Sequence, residues 1–98
     1  MNSDPKDVAS ALRKLWPVIQ KHGVTSLWIF GSHARGDSRP DSDLDLLVDF
    51  ESPPGFDNFM GLKIDLEDLL GTKVDLHTRS SCPDRFMRRI QPDLLHVA

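Results

Sequence analysis

Leu27-Trp28-Ile29-Phe30-Gly31-Ser32-His33-Ala34-Arg35-Gly36, followed after a polar link by Ser42-Asp43-Leu44-Asp45-Leu46-Leu47-Val48, is the stretch that decides the fold. Two short apolar runs flank a turn. Runs of this length, bounded by turn residues, fit buried strands better than helices. The first run ends in Gly31-Ser32. A Gly-Ser step leaving a strand exposes backbone N–H groups at a helix start, where phosphate oxygens bind well. The second run carries Asp43 and Asp45. At i and i+2 on a strand, two aspartates share one face and can reach a common metal. A phosphate cradle beside paired carboxylates suits nucleotide chemistry.

Upstream, Asp4-Pro5 opens a helical pattern with Val8, Leu12, Leu15 and Ile19 on one face. Pro17 predicts a break near Trp16, and Gly23 ends the pattern before a strand around Ser26–Phe30. His33–Arg35 reads as a short helix, Gly36–Asp41 as a loop and Asp43–Phe50 as the second strand. Beyond the breaker-rich Ser52-Pro53-Pro54-Gly55, Asp57 or Asn58 is expected to cap a helix. Its Phe59, Leu62, Leu66 and Leu69 form a core stripe, and Gly71 is its C-cap. Lys73–Thr78 alternates as a third strand. Ser81, with Asp84 three residues on, is expected to cap a last helix running through Phe86, Met87 and Ile90 to Pro92. The order implies one α/β domain over residues 1–98, a small sheet flanked by helices.

Ninety-eight residues leave no room for a second core. Acids outnumber bases by 15 to 12, a net charge of −3, so no global basic field favours direct nucleic-acid binding. The lone Cys82 excludes an internal disulfide and a cysteine metal cluster, which suits a reduced cytoplasmic setting. The N-terminal Met1–Pro5 lacks an apolar signal core, and no stretch approaches the roughly 20 apolar residues of a membrane span.

Single features support bland readings. Gly31-Ser32 alone is an ordinary turn, and an isolated Asp-x-Asp is usually solvated. Asp41, Asp43 and Asp45 mimic the start of a calcium loop, but Leu46 and Ser52 stand where that loop needs glycine and glutamate. His22, His33, His77 and His96 share no metal-ligand spacing and read mostly as surface histidines, although His33 lies within the phosphate turn, in reach of a ligand. Arg85, Arg88 and Arg89 read as a solvated helix face or as contacts for triphosphate or an acidic partner. Trp16 and Trp28 are expected to pack, and Cys82 to be structural.

Gly31-Ser32, ten intervening residues and Asp43-Leu44-Asp45 together resemble the signature of nucleotidyltransferases of the DNA polymerase β superfamily. Three blocks are similar in order and spacing to the minimal nucleotidyltransferases: Phe30–Gly36, Ser42–Val48 and Leu69–Leu76. The resemblance covers about residues 8–91. It implies the polymerase β-type fold, Asp43, Asp45 and Asp75 as catalytic and metal-binding carboxylates, and Gly31 and Ser32 on the triphosphate. It also places Arg35 as a phosphate contact. Two Mg²⁺ ions about 4 Å apart would serve the transfer. ATP is the implied donor. Members of this family are paired with HEPN-domain toxins as antitoxins, some transferring AMP to a toxin tyrosine, so such a partner is implied here. Gln91–Ala98 departs from the usual tail. A binding-only antitoxin, or an enzyme acting on a small-molecule or RNA acceptor held by another subunit or an oligomer, is the competing reading.

Overall fold

The computed structural model describes residues 4–98; residues 1–3, part of the segment read for a leader, lie outside the described residues. Helix α1 spans Pro5–Lys14, with Asp4 as its N-cap accepting from the Lys6 N–H at 2.9 Å. Pro17 has no N–H to continue the ladder. The chain accordingly restarts as α2, Trp16–Lys21, after a C-cap at Leu15, which is the expected break. Strand β1, Val24–Phe30, leads through Gly31 into α3, Ser32–Arg35, and then β2, Leu44–Phe50. Helix α4 is Phe56–Leu70, β3 is Val74–Thr78, α5 is Asp84–Ile90, and a two-residue β4, Leu95–His96, follows.

The sheet order is β3-β2-β1-β4. It is mixed: β1 is antiparallel to β2 and β4, and β2 is parallel to β3 across the α4 crossover. A bulge between Val24 and Ser26 resets the alternation of β1, so Val24, Leu27 and Ile29 all face the core. That core lies between one sheet face and helices α1, α2 and α4. It gathers Val8, Leu12, Ile19, Leu44, Leu46, Val48, Leu62, Leu66, Val74 and Leu76. On the opposite face a smaller cluster of Phe30, Leu47 and Ile90 packs with Trp28, Phe86, Met87, Cys82 and Leu94. Trp16 packs against the main core as expected. No helix among the described residues is long and apolar enough to cross a membrane.

Four local expectations need correction. Leu69 is 55% exposed and is not core; Leu70, four residues on from Leu66, packs there instead. Gly55, not Asp57 or Asn58, occupies the N-cap of α4, because Asn58 is engaged by His22. Pro83, not Ser81, precedes α5, and the Ser81 hydroxyl pairs with Thr78. The histidines are not mostly on the surface. His33 is 5% exposed, and the half-buried His22 ties α2 to α4 through Asn58 at 2.9 Å and Asp65 at 3.0 Å. Gly71 caps α4 as expected, at φ +68°.

Candidate active site

Strand alternation separates the two faces of β2. Leu44, Leu46 and Val48 enter the main core, so Asp45 lies on the opposite face, where α5 packs. Parallel pairing sets Asp45 directly beside Asp75 of β3. Antiparallel pairing sets Asp45 beside Phe30, the residue before Gly31. Asp45 is thus flanked by a second carboxylate on one strand and by the glycine turn on the other.

Gly31 has φ +74° and ψ −152°, a combination open almost exclusively to glycine. It also has no room for a side chain. A Cβ there would collide with Asp45 Oδ2 and come within 3.2 Å of its Cγ. The turn closes on itself through the Gly31 carbonyl, which accepts from Ala34 and Arg35 at 3.1 Å. The first N–H groups of α3 have no partner within that helix.

Asp45 bears the strain of this arrangement. Burial first, and then the charge of Asp75 with a carboxyl–carboxyl hydrogen bond, push it up to about 6; His77 pulls the other way. Asp43 stands one residue before β2 and is close enough to add to the repulsion. It also lines a shallow groove of about 320 Å³ with Pro40–Ser42 and Gly71–Lys73.

Among the described residues, no three acidic, histidine or cysteine side chains converge closely enough to cage a cation unaided. What the fold supplies is a juxtaposed pair, Asp45 and Asp75, with Asp43 at the entry. All are hard oxygen donors with excess negative charge. That set fits Mg²⁺, which binds through one or two carboxylates and draws its other ligands from water and substrate phosphates. Bound there, such an ion would stabilise negative charge on phosphoryl oxygens.

The remaining sequence-derived residues fall differently. Ser32 opens α3, beside Asp45 through Gly31. Arg35 is held by two acids, Nε donating to Asp37 at 3.1 Å and Nη1 to Asp93 at 2.8 Å, so a phosphate contact would compete with both. Two histidines lie at the site: His33, singled out within the phosphate turn, and His77, which was missed. His33 is buried, and its ring hydrogen-bonds the Asp43 backbone while Nδ1 has no partner. Burial outweighs that bond and lowers its pKa, so the neutral ring leaves an unpaired acceptor rather than an unpaired donor. His77 lies with Nε2 3.2 Å from Asp75 Oδ2. Its signal in the sequence was the i, i+2 spacing from Asp75, which puts both on one strand face. Burial raises the Cys82 thiol, in keeping with a structural residue.

Residues 6–93 match the nucleotidyltransferase domain family. The chain belongs to that family. Among its relatives, the protein adenylyltransferase MntA of Thermococcus cleftensis is 38% identical over 78 residues, covering 80% of this chain and 79% of that protein. A solved structure described as a candidate minimal nucleotidyltransferase superposes with a TM-score of 0.80 at 33% identity, covering 94% of each chain. The fold also matches one chain of a tri-AMPylated Shewanella oneidensis HEPN toxin–MNT antitoxin complex, with a TM-score of 0.70 at 16% identity, covering 90% of this chain and 69% of that one. The minimal nucleotidyltransferase therefore has the small mixed sheet and the flanking helices that its motifs imply.

Proposed function

We propose that this nucleotidyltransferase transfers AMP from ATP to a hydroxyl, a tyrosine, of a partner HEPN-type toxin, and so acts in the cytoplasm as its antitoxin. One observation carries the reading. Register places Asp45 beside Asp75 and against a glycine turn with no space for a side chain, so phosphate-binding backbone and metal-binding carboxylates meet at one point. Asp43, Asp45 and Asp75 would hold Mg²⁺ jointly with oxygens of the triphosphate, and Gly31 and Ser32 would hold the triphosphate through backbone N–H groups. Asp75, the most exposed of the paired acids at 54%, is the one an incoming hydroxyl reaches first. The adenylyltransferase name of the Thermococcus relative supports the donor, and the toxin–antitoxin complex of the same fold supports the partner.

The test is mass spectrometry of the neighbouring gene product after incubation with the protein, ATP and Mg²⁺. One or more added AMP units, absent with Asp43→Ala in a folded domain, is the expected result. Transfer surviving in that variant would remove Asp43 from the site. A stable, inhibited complex carrying no adduct would instead establish an antitoxin that works by binding.

A further inference from the structure

His77 is tied to the site by two sets of contacts. Its ring packs against Phe30, at 5.6 Å between centroids, and against Phe86, at 5.1 Å and 33° between planes. Phe30 and Phe86 meet edge-on at 5.8 Å, so the three rings form one cluster joining β1, β3 and α5. Such offset and edge-to-face contacts fix ring orientation as well as position. At the free edge of this cluster, Nε2 faces Asp75 Oδ2 at 3.2 Å. Asp75 is 54% exposed and lies beside the Asp45 carboxyl, which repels it when both are ionised. Left alone, a half-exposed aspartate would swing toward water, away from its like-charged neighbour. The fixed imidazole opposes that swing.

Resting on the reading of Asp75 as a metal-side carboxylate, we infer that His77 is a positioning residue, which holds Asp75 beside Asp45 for the incoming cation. The ring edge lies 3.2 Å from Oδ2, on one side of the carboxylate. Outer partners of this kind orient metal-binding carboxylates, and losing one costs on the order of tenfold in metal affinity. Phe86 thereby links α5 to the carboxylate pair, because any displacement of α5 moves the ring against which His77 rests.

The experiment is Mn²⁺ titration of the folded protein saturated with a non-hydrolysable ATP analogue, read by the loss of the free-ion electron paramagnetic resonance signal beyond that caused by the analogue alone. His77→Phe keeps the ring cluster and removes the nitrogen; His77→Gln returns an N–H near the position of Nε2. Expected are about tenfold weaker Mn²⁺ binding for H77F and near wild-type binding for H77Q. On an Asp75→Asn background H77F should add nothing, because the residue it acts through is gone. In the transfer assay the loss should fall on kcat, with the KM for ATP unchanged. Wild-type Mn²⁺ affinity in H77F, or an equal loss with and without Asp75, would overturn the inference while leaving the assignment of Asp75 intact. Unchanged Mn²⁺ binding and transfer in Asp75→Asn would remove that assignment, and His77 with it. If H77F fails to fold, His77→Leu is compared with H77Q under the same criteria.

Discussion

Gly31→Ala separates what this turn does for the fold from what it does for the site, and Gly71→Ala is its control. Both glycines have positive φ, +74° and +68°. At Gly71, φ +68° and ψ +27° lie in the left-handed region, and nothing stands within 4 Å of an added Cβ. Alanine there costs about 1–2 kcal/mol of backbone strain, offset by about 0.4–1 kcal/mol because the unfolded chain loses freedom. At Gly31 the strain is of order 1–3 kcal/mol. The collision with Asp45 Oδ2 must also be relieved, which forces that side chain off its rotamer for about 0.5–1.5 kcal/mol more. After the same unfolded-state offset, G31A should lose about 0.5–4 kcal/mol and G71A about 1.5 kcal/mol or less, with midpoints near 2 and 1 kcal/mol. Urea unfolding measures both. The larger difference is functional. At a temperature where both variants are folded, G71A should transfer AMP at the wild-type rate, while G31A should lose about a hundredfold, since on the proposed function a carboxylate shifted by about 1 Å would no longer meet the metal ion. A G31A protein with wild-type transfer, or one no less stable than G71A, would refute the claim that Gly31 is there to admit Asp45.

Asp45→Asn should stabilise the metal-free protein while abolishing transfer. The folded pKa of Asp45 is raised from 3.8 to about 6, so the native state holds the extra proton between those values and its stability falls as pH rises through that window. At about 1.4 kcal/mol per pH unit, D45N in EDTA should gain on the order of 1–3 kcal/mol near pH 7.5 and almost nothing near pH 4; urea curves showing no gain near pH 7.5 would contradict this. Leu66→Ala, in the fully enclosed core, should cost about 2–5 kcal/mol in the same assay, whereas Leu69→Ala on the exposed side of α4 should stay within about 0.5 kcal/mol.

Much of this was legible in the residues, for identifiable reasons. Apolar runs bounded by turn residues marked β1 and β2, Pro17 marked the break between α1 and α2, and Gly31 and Gly71 stood where the backbone turns left-handed. The reading failed where tertiary contacts decide. Strand β4 is two residues long and exists because Trp28 and Ile29 offer a free edge to His96 and Leu95. No local pattern encodes that. Asn58 had the chemistry of a helix cap, but a histidine 36 residues away took its side chain. Leu69 and Leu70 are adjacent in an apolar stripe, and only the position of the sheet chose between them. Arg35 sits inside the motif, yet its acid partners, Asp37 and Asp93, lie two and 58 residues away.

The placement of the acids also explains why the fold can carry so costly a site in so few residues. Strand β2 sends Leu44, Leu46 and Val48 to the core side. The same alternation sends Asp45 to the other, beside Asp75. The residues that fix the register are therefore the residues that fix the site. A slip of one residue would bury Asp45 in the main core and expose three core residues, so packing forbids it. The charge of Asp75 acts against this register, but it perturbs Asp45 less than burial does, and against it stands the burial of Leu44, Leu46, Val48, Val74 and Leu76, each worth about 1.5–3 kcal/mol. Core burial on one face thus holds together on the other a pair of carboxylates that would otherwise separate, and a divalent cation binds most strongly where such charges are held together in advance.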